Sequence, residues 1–292
     1  MFKYIALLFA AAVPFLIQAD IVVRQKLPRS SYMLYEPVIA EITIRNNFGQ
    51  VLIFGKEMEF KGHLEAQLTD MSGRPLPDSG TKINLQGLIL RPGVDQMIRV
   101  NVSKWLNIRK NGFYSLKFYL SHPMLKSEYQ SNAVNFDISQ GKVIWSKSFG
   151  VPRIMDDKIG GKLPIRTYTV RGLQDKDDVK IFLFVEDKEN IYSIKNIGTL
   201  LGNSSPQCNI DSLNQLHILH QIANKLFLYY IFDWNGRCET VKSYRTTDTI
   251  PVLFRNPANG EVKVVGGALE ALPPGYSTER LLPGNMGNAD KN

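Results

Sequence analysis

Alternating apolar and polar residues run through the first half of the chain and predict short β-strands. Every second residue from Val38 to Ile44 is apolar, which is the period of a half-buried strand. Similar patterns predict strands at 51–54, 63–69, 84–90, 96–102, 113–120 and 132–138, with Gly, Pro and Asn turns between them. Helical periodicity is nearly absent, apart from one predicted turn at 103–109. Short strands at this spacing are typical of a β-sandwich.

Three phrases in this half carry a family resemblance. They are Tyr-Glu-Pro-Val at 35–38, Leu-Arg-Pro-Gly at 90–93 and Asn-Gly-Phe-Tyr-Ser-Leu at 111–116. Together they resemble the immunoglobulin-like domains of bacterial exported proteins, including macroglobulin-type modules. The resemblance implies that Gly112, Phe113 and Tyr114 place an aromatic side chain at a corner of the sandwich. The resemblance concerns the fold and implies no activity.

The second half has strands of a different kind. Residues 181–185 and 226–232 are apolar at consecutive positions, which indicates strands buried on both faces. The stretch 209–244 reads as three strands joined by turns, and Asn-Gly at 235–236 is a strong hairpin signal. Two more strands, joined by Asn-Gly at 259–260, follow at 252–265. The pattern predicts an antiparallel meander.

This meander resembles β-propeller blades. The phrase Asp-x-x-Asn-x-Leu-His at 211–217 stands before two hairpin-linked strands, as in a blade. The resemblance implies sheets that stack face to face, but the residues suffice for two or three blades, and a closed propeller needs about four. Either a second chain completes the meander, or the meander packs as an open sheet on the first module. We favour the open sheet.

The amino terminus predicts export. Met-Phe-Lys is followed by an apolar run from Tyr4 to Ile17 and by Ala19, the pattern of a secretory signal peptide cleaved after that alanine. We therefore predict an all-β protein with a signal peptide (1–19), an immunoglobulin-like β-sandwich (20–140), a linker (141–164), a propeller-like antiparallel β-meander (165–272) and a flexible C-terminal tail (273–292). No transmembrane segment is predicted, and the protein is expected to be secreted or periplasmic.

Charge and cysteine content limit the partners. The net charge is +8, but lysines and arginines are interleaved with acids, so no nucleic-acid partner is predicted. An exported chain with two cysteines allows one disulfide, Cys208 to Cys238. The alternative is two separately buried thiols.

Few residues suggest chemistry. His217 and His220 form His-x-x-His, but on a strand they point to opposite faces and cannot share one ion. We predict no metal, no cofactor and no catalytic residue. The aromatic hairpin residues Tyr229, Tyr230 and Trp234 are the candidate ligand-binding residues, although for Trp234 at a turn the favoured alternative is packing over the neighbouring hairpin.

Three functions are consistent with these features. The first is a non-enzymatic exported binding or scaffolding protein of the cell envelope or extracellular space, with a protein or polysaccharide ligand at the cell surface and possible oligomerisation through the meander. The second is an enzyme acting on envelope or extracellular polymers, which requires a concave cluster of carboxylates between the modules. The third is a protease-binding inhibitor-like protein, which requires a long exposed loop, with 72–82 as the candidate.

Overall fold

The computed structural model describes residues 20–77, 79–106, 108–151, 164–202 and 204–276. Within these ranges the chain is all-β, as predicted, with several antiparallel sheets. Its helical content is the 3-10 turn Met58–Phe60 and the four-residue α1, Val102–Trp105, at the predicted helical turn. Among these residues no helix has the length and apolar content of a membrane span. The predicted signal peptide lies outside the described residues, as does the tail from residue 277 onward.

The first module, residues 20–139, packs three sheets around one hydrophobic core. Its strands are β1 (Ile21–Lys26), β2 (Ser31–Met33), β3 (Ile39–Asn46), β4 (Leu52–Ile53), β5 (His63–Asp70), β6 (Thr81–Asn84), β7 (Ile89–Leu90), β8 (Asp95–Asn101), β9 (Gly112–Ser121), β10 (Tyr129–Gln130) and β11 (Val134–Ser139). The sheets have the orders β1-β3-β8, β2-β11-β9-β5-β6 with β10 beside β9, and β4-β7. β2 pairs with β11 in parallel.

The predicted alternation is confirmed, but one predicted strand is wrong. Every second residue of β3 and β9 is buried, which is the pattern expected of a sheet with one wet face. The expected strand at 84–90 is instead split into β6 and β7. Leu88 donates to the carbonyl of Leu85 at 2.9 Å, and Gly87 has φ of 89°, so the chain turns between the two strands.

The second module, residues 142–276, contains two larger sheets and a separate hairpin. Its strands are β12 (Lys142–Gly150), β13 (Ile165–Asp175), β14 (Asp178–Glu186), β15 (Ile191–Leu200), β16 (Gln207–Ile210), β17 (Leu216–Ala223), β18 (Leu226–Phe232), β19 (Cys238–Arg245), β20 (Val252–Arg255), β21 (Val262–Val265) and β22 (Ala268–Glu270). β12 to β15 form one sheet in chain order, and β16 to β19 with β22 form the other. No closed propeller is formed by the described strands.

β14 is buried on both faces, as its consecutive apolar residues predict. Ile181, Leu183 and Val185 lie in the core shared by the two larger sheets. Phe182 and Phe184 point the other way and pack in a small cluster with Met33 of the first module. The first sheet of the second module is therefore a middle layer, because the first module covers part of its other face.

The junction between the modules has little free chain. Residues 142–150 belong to the predicted linker but form β12, which pairs with β13 along its whole length. Of the rest of that linker, 152–163 lie outside the described residues. Ser30 of the first module donates through its hydroxyl to Asp175 Oδ1 of the second at 3.1 Å. This contact and the Met33 cluster hold the modules together.

Three hairpin turns are built in the same way, at 70–74, 211–215 and 233–237. In each, the first residue is an aspartate whose Oδ1 accepts from the backbone N–H groups two and four residues later, at 2.7 to 3.0 Å. The fourth residue, Gly73, Asn214 or Gly236, has positive φ. Glycine and asparagine tolerate this conformation best, so Asp-x-x-Gly or Asp-x-x-Asn specifies the turn locally. At Asp70 the Ser72 hydroxyl also donates to Oδ1, at 2.6 Å, and this bond first, followed by the backbone ones, lowers the pKa of Asp70 to about 2.

Candidate functional site

Two of the three predicted aromatic binding residues lie inside a sheet and not on an exposed surface. Tyr229 and Tyr230 are only 5% and 2% exposed, on opposite faces of β18. The Tyr229 hydroxyl is 2.6 Å from His217 Nδ1, and the Tyr230 hydroxyl donates to the carbonyl of Ile197 at 3.0 Å. Both rings are central to the sheet that carries them, because β18 has a neighbouring strand on each side.

Trp234 is half-buried and packs against the core of the second module. The Arg166 guanidinium lies 5.3 Å from its ring centre and 3.7 Å from that of Tyr192. Arg166 also donates to the Trp234 carbonyl at 2.9 Å. These contacts hold the turn against the neighbouring sheet, so Trp234 takes the packing role, the alternative to ligand binding.

The two histidines of His-x-x-His lie in separate environments, as the strand geometry predicts. His217 bridges Tyr229 and Asp211, whose Oδ2 is 3.1 Å from His217 Nε2. His220 lies in the core between the two larger sheets, with Nε2 3.2 Å from the Ile197 carbonyl. Burial lowers the pKa of His220 to about 4. Across the described ranges, no three His, Cys, Asp or Glu side chains converge on a point that could hold a metal ion.

The two cysteines are free thiols in the structure, which has no disulfide between them. Cys208 lies on β16 and Cys238 on β19, three strands apart in one sheet. Three strand spacings of about 4.8 Å separate them by roughly 14 Å, whereas a disulfide needs Cα atoms within about 7 Å. Burial raises the pKa of each thiol to about 12. Of the two alternatives, separately packed thiols describe this arrangement.

A cleft of about 380 Å³ lies at the end of the first module that faces the junction. It is formed where the turn after β2, the helix α1 and the strand β11 come together. The cleft is lined by Tyr35, Glu36, Ser103, Ile108, Arg109 and Ile138. Its volume is at the lower end of the range of small-molecule sites, about 300–1,000 Å³.

Glu36 lines the cleft, and 11% of its side chain is exposed. Its Oε1 accepts from the Arg29 guanidinium, and its Oε2 accepts from the Met33 N–H at 3.0 Å. Burial raises the pKa of Glu36, while Arg29 acts in the opposite direction. A buried carboxylate with a raised pKa in a cleft is a frequent feature of functional sites.

Tyr35 lines the same cleft in an unusual backbone conformation. Its φ is 68°, a left-handed value that bulky residues rarely adopt. Tyr35 is the third residue of a turn closed by a 2.9 Å hydrogen bond from the Glu36 N–H to the Met33 carbonyl. Half of the tyrosine remains exposed instead of packing in the core. Strain of this kind costs about 1–2 kcal/mol and is concentrated at functional sites.

The enzyme hypothesis requires carboxylates between the modules, and two are present. Glu36 and Asp175 lie close enough to interact electrostatically, on opposite sides of the junction. Asp175, however, is not among the residues that line the cleft and accepts from the backbone and hydroxyl of Ser30. Only one of the two carboxylates therefore faces a space that a substrate can enter.

The candidate inhibitor loop at 72–82 is held against the strand beside it. The N–H groups of Leu76 and Gly80 donate to the carbonyls of Leu68 and Ala66, each at 2.9 Å. Ser79 Oγ accepts from the Leu68 N–H at 2.9 Å. These three hydrogen bonds tie Leu76, Ser79 and Gly80 to the strand, while residues 72–75 are exposed.

The hairpin of β20 and β21 exposes an apolar face that the sequence analysis did not single out. The two strands pair with Val252 opposite Val265, and the hairpin packs on β16 and β17 with Val262 buried. On its other face, exposed apolar side chains are contributed by Ile250, Val252, Phe254 and Val265. We call this surface the hairpin face. The apolar residues of 250–254, a run that only Pro251 interrupts, are the signal that could have identified it.

The comparisons with known proteins give no family. No protein-family model matches the chain, and no curated protein matches it.

Proposed function

We propose that the chain is a non-enzymatic, exported binding protein of the cell envelope or extracellular space, and that it takes its ligand in the cleft at Tyr35. The observation that carries this proposal is the half-exposed Tyr35, held at positive φ beside the buried Glu36 carboxylate. Strained residues are concentrated at functional sites, and ligand pockets of this volume combine apolar walls with a few polar groups. Since only one carboxylate faces the cleft, the geometry favours binding over hydrolysis.

The finer fold assignment is part of the same proposal. An immunoglobulin-like sandwich is supported by the Tyr114 hydroxyl, which donates to the Lys110 carbonyl four residues earlier at 2.8 Å. Such a contact is typical of the tyrosine corner of these domains. Propeller-like character in the second module is supported by β12 to β15, which form one four-stranded sheet in chain order, as in a blade.

The binding proposal is tested by NMR on the purified chain. Solubilised envelope polysaccharide and envelope protein are added separately as probes, and the amide shifts of Tyr35, Ser103 and Ile138 are followed. We expect at least one fraction to shift these amides because they surround the cleft. If neither fraction shifts them, the proposal is wrong.

The hairpin face favours a second candidate function, scaffolding by self-assembly. Contiguous exposed apolar side chains mark interaction surfaces in soluble proteins. We assign this face to a second copy of the chain because it carries one cation, Lys263, and one anion, Glu261, at alternate positions of the hairpin. In a two-fold contact the lysine of one copy would lie next to the glutamate of the other, and the reverse.

Light scattering after size exclusion measures this assembly. We expect the unmodified chain to be a dimer and Phe254→Asp to be a monomer, since a carboxylate would be placed in the apolar contact. Tyr35→Gly is the matched control, because it removes an exposed aromatic of the first module and should leave the dimer intact. A monomeric unmodified chain would rule out scaffolding and leave the cleft proposal unaffected.

A further inference from the structure

The cleft offers a flat aromatic surface and hydrogen-bonding groups of both kinds. Half of Tyr35 is exposed, and Ile108 and Ile138 supply apolar walls. Each oxygen of the Glu36 carboxylate has one hydrogen bond to protein, and a carboxylate oxygen can accept two. Glu36, which lines the cleft, therefore keeps acceptor capacity. The Arg109 guanidinium, which is exposed and lines the cleft, carries only donors.

The charges of the cleft exclude several ligand classes. A phosphate or another strong anion would face the Glu36 carboxylate, and an amine or another cation would face Arg109, with Arg29 behind Glu36. A ligand made only of carbon would remove Glu36 and Arg109 from water without replacing their hydrogen bonds. What remains is a neutral ligand that has an apolar ring face and also many groups that both donate and accept.

We propose that the cleft binds a neutral sugar ring, a hexose or N-acetylhexosamine unit of a polysaccharide. The C–H face of the ring stacks on Tyr35, while ring hydroxyls donate to Glu36 and accept from Arg109. A cleft of about 380 Å³ accommodates one such unit at a time. This inference rests on the proposed binding function and specifies its ligand class.

The test uses the full purified chain and free sugars as probes. Glucose, galactose and N-acetylglucosamine, with their short oligomers, are titrated by ligand-observed NMR, and inorganic phosphate and an acidic peptide serve as comparison probes. The critical variant is Tyr35→Gly, because glycine adopts the positive φ without strain and lacks the aromatic side chain. Tyr35→Phe keeps the ring, and Tyr192→Ala removes a partly exposed aromatic of the other module.

We expect at least one neutral sugar to bind, and Tyr35→Gly to weaken it about tenfold or more, as loss of an aromatic contact of about 1.4 kcal/mol implies. Tyr35→Phe and Tyr192→Ala should bind within about twofold of the unmodified chain. Sugar binding that Tyr35→Gly leaves unchanged would overturn the inference. So would an absence of sugar binding; in that case, envelope protein that still shifts the cleft amides would leave the binding function standing with another ligand class.

Discussion

Lowering the pH from 7 to 4 is expected to cost the protein roughly 3 kcal/mol of unfolding free energy through one side chain, His220. This imidazole is buried between the two larger sheets and stacks on Tyr230, with ring planes 10° apart. Burial lowers its pKa to about 4, whereas the unfolded chain has the ordinary value near 6.5. The unfolded state therefore takes up a proton between these values and the folded state does not, so the contribution of His220 is complete above pH 6.5 and is lost as the pH falls toward 4.

The measurement is urea unfolding at pH 7 and pH 4 for the unmodified chain and for His220→Gln. Glutamine can still donate to the Ile197 carbonyl but does not titrate. Between pH 7 and pH 4 the unmodified chain should lose roughly 3 kcal/mol more unfolding free energy than His220→Gln does. Carboxylates that titrate in the same range cancel in this difference. His63→Gln, at the more exposed start of β5, is the control and should show a much smaller shift. If the unmodified chain and His220→Gln lose the same free energy of unfolding between pH 7 and pH 4, His220 is not held neutral.

Gly141→Ala is expected to destabilise the protein by about 2–4 kcal/mol and to separate the unfolding of the two modules. The glycine has φ of 65°, a conformation that costs an alanine about 1–2 kcal/mol. An added Cβ would lie 2.7 Å from the carbonyl oxygen of Gly172 and 2.8 Å from the Met33 methyl. Because the first contact is with backbone, β13 or the connection itself has to move, and the Met33 cluster opens.

Gly49→Ala is the matched control for this change. Gly49 has a similar φ of 83°, but an added Cβ would meet nothing within 4 Å. It therefore carries the backbone cost without the clash, and should destabilise by only about 1–2 kcal/mol in a single transition. Both variants are compared by urea unfolding followed through tryptophan fluorescence and circular dichroism. If the two alanines have equal effects, the junction is not held by close contact at Gly141.

The parts of the fold that followed from the sequence are those specified by local pattern. Alternation placed β3, β5 and β9, consecutive apolar residues identified β14, and Asn-Gly marked the turn before β19. β12 was missed because Lys142 to Gly150 has exposed residues on both faces, so no alternation marks it, and only its pairing with β13 makes it a strand.

The candidate site could not be predicted in the same way. Tyr35 reads as part of an ordinary turn phrase, and no single-sequence rule assigns positive φ to a tyrosine. Tyr229 and Tyr230 were candidate binding residues although the apolar run 226–232, which contains them, predicts a strand buried on both faces. Their burial depends on neighbouring strands and on partners distant in sequence, such as the carbonyl of Ile197.

Because the β12–β15 sheet is a middle layer, the second module is not expected to be stable when it is expressed without the first. Phe182 and Phe184 are almost fully buried, and they share their cluster with Met33 from the first module. A fragment beginning at Lys142 would present both phenylalanines to water beside the exposed edge strand β12. Apolar side chains next to an unpaired edge favour aggregation. Recombinant work on the second half would therefore need the first half to be present, or polar replacements for these two aromatics.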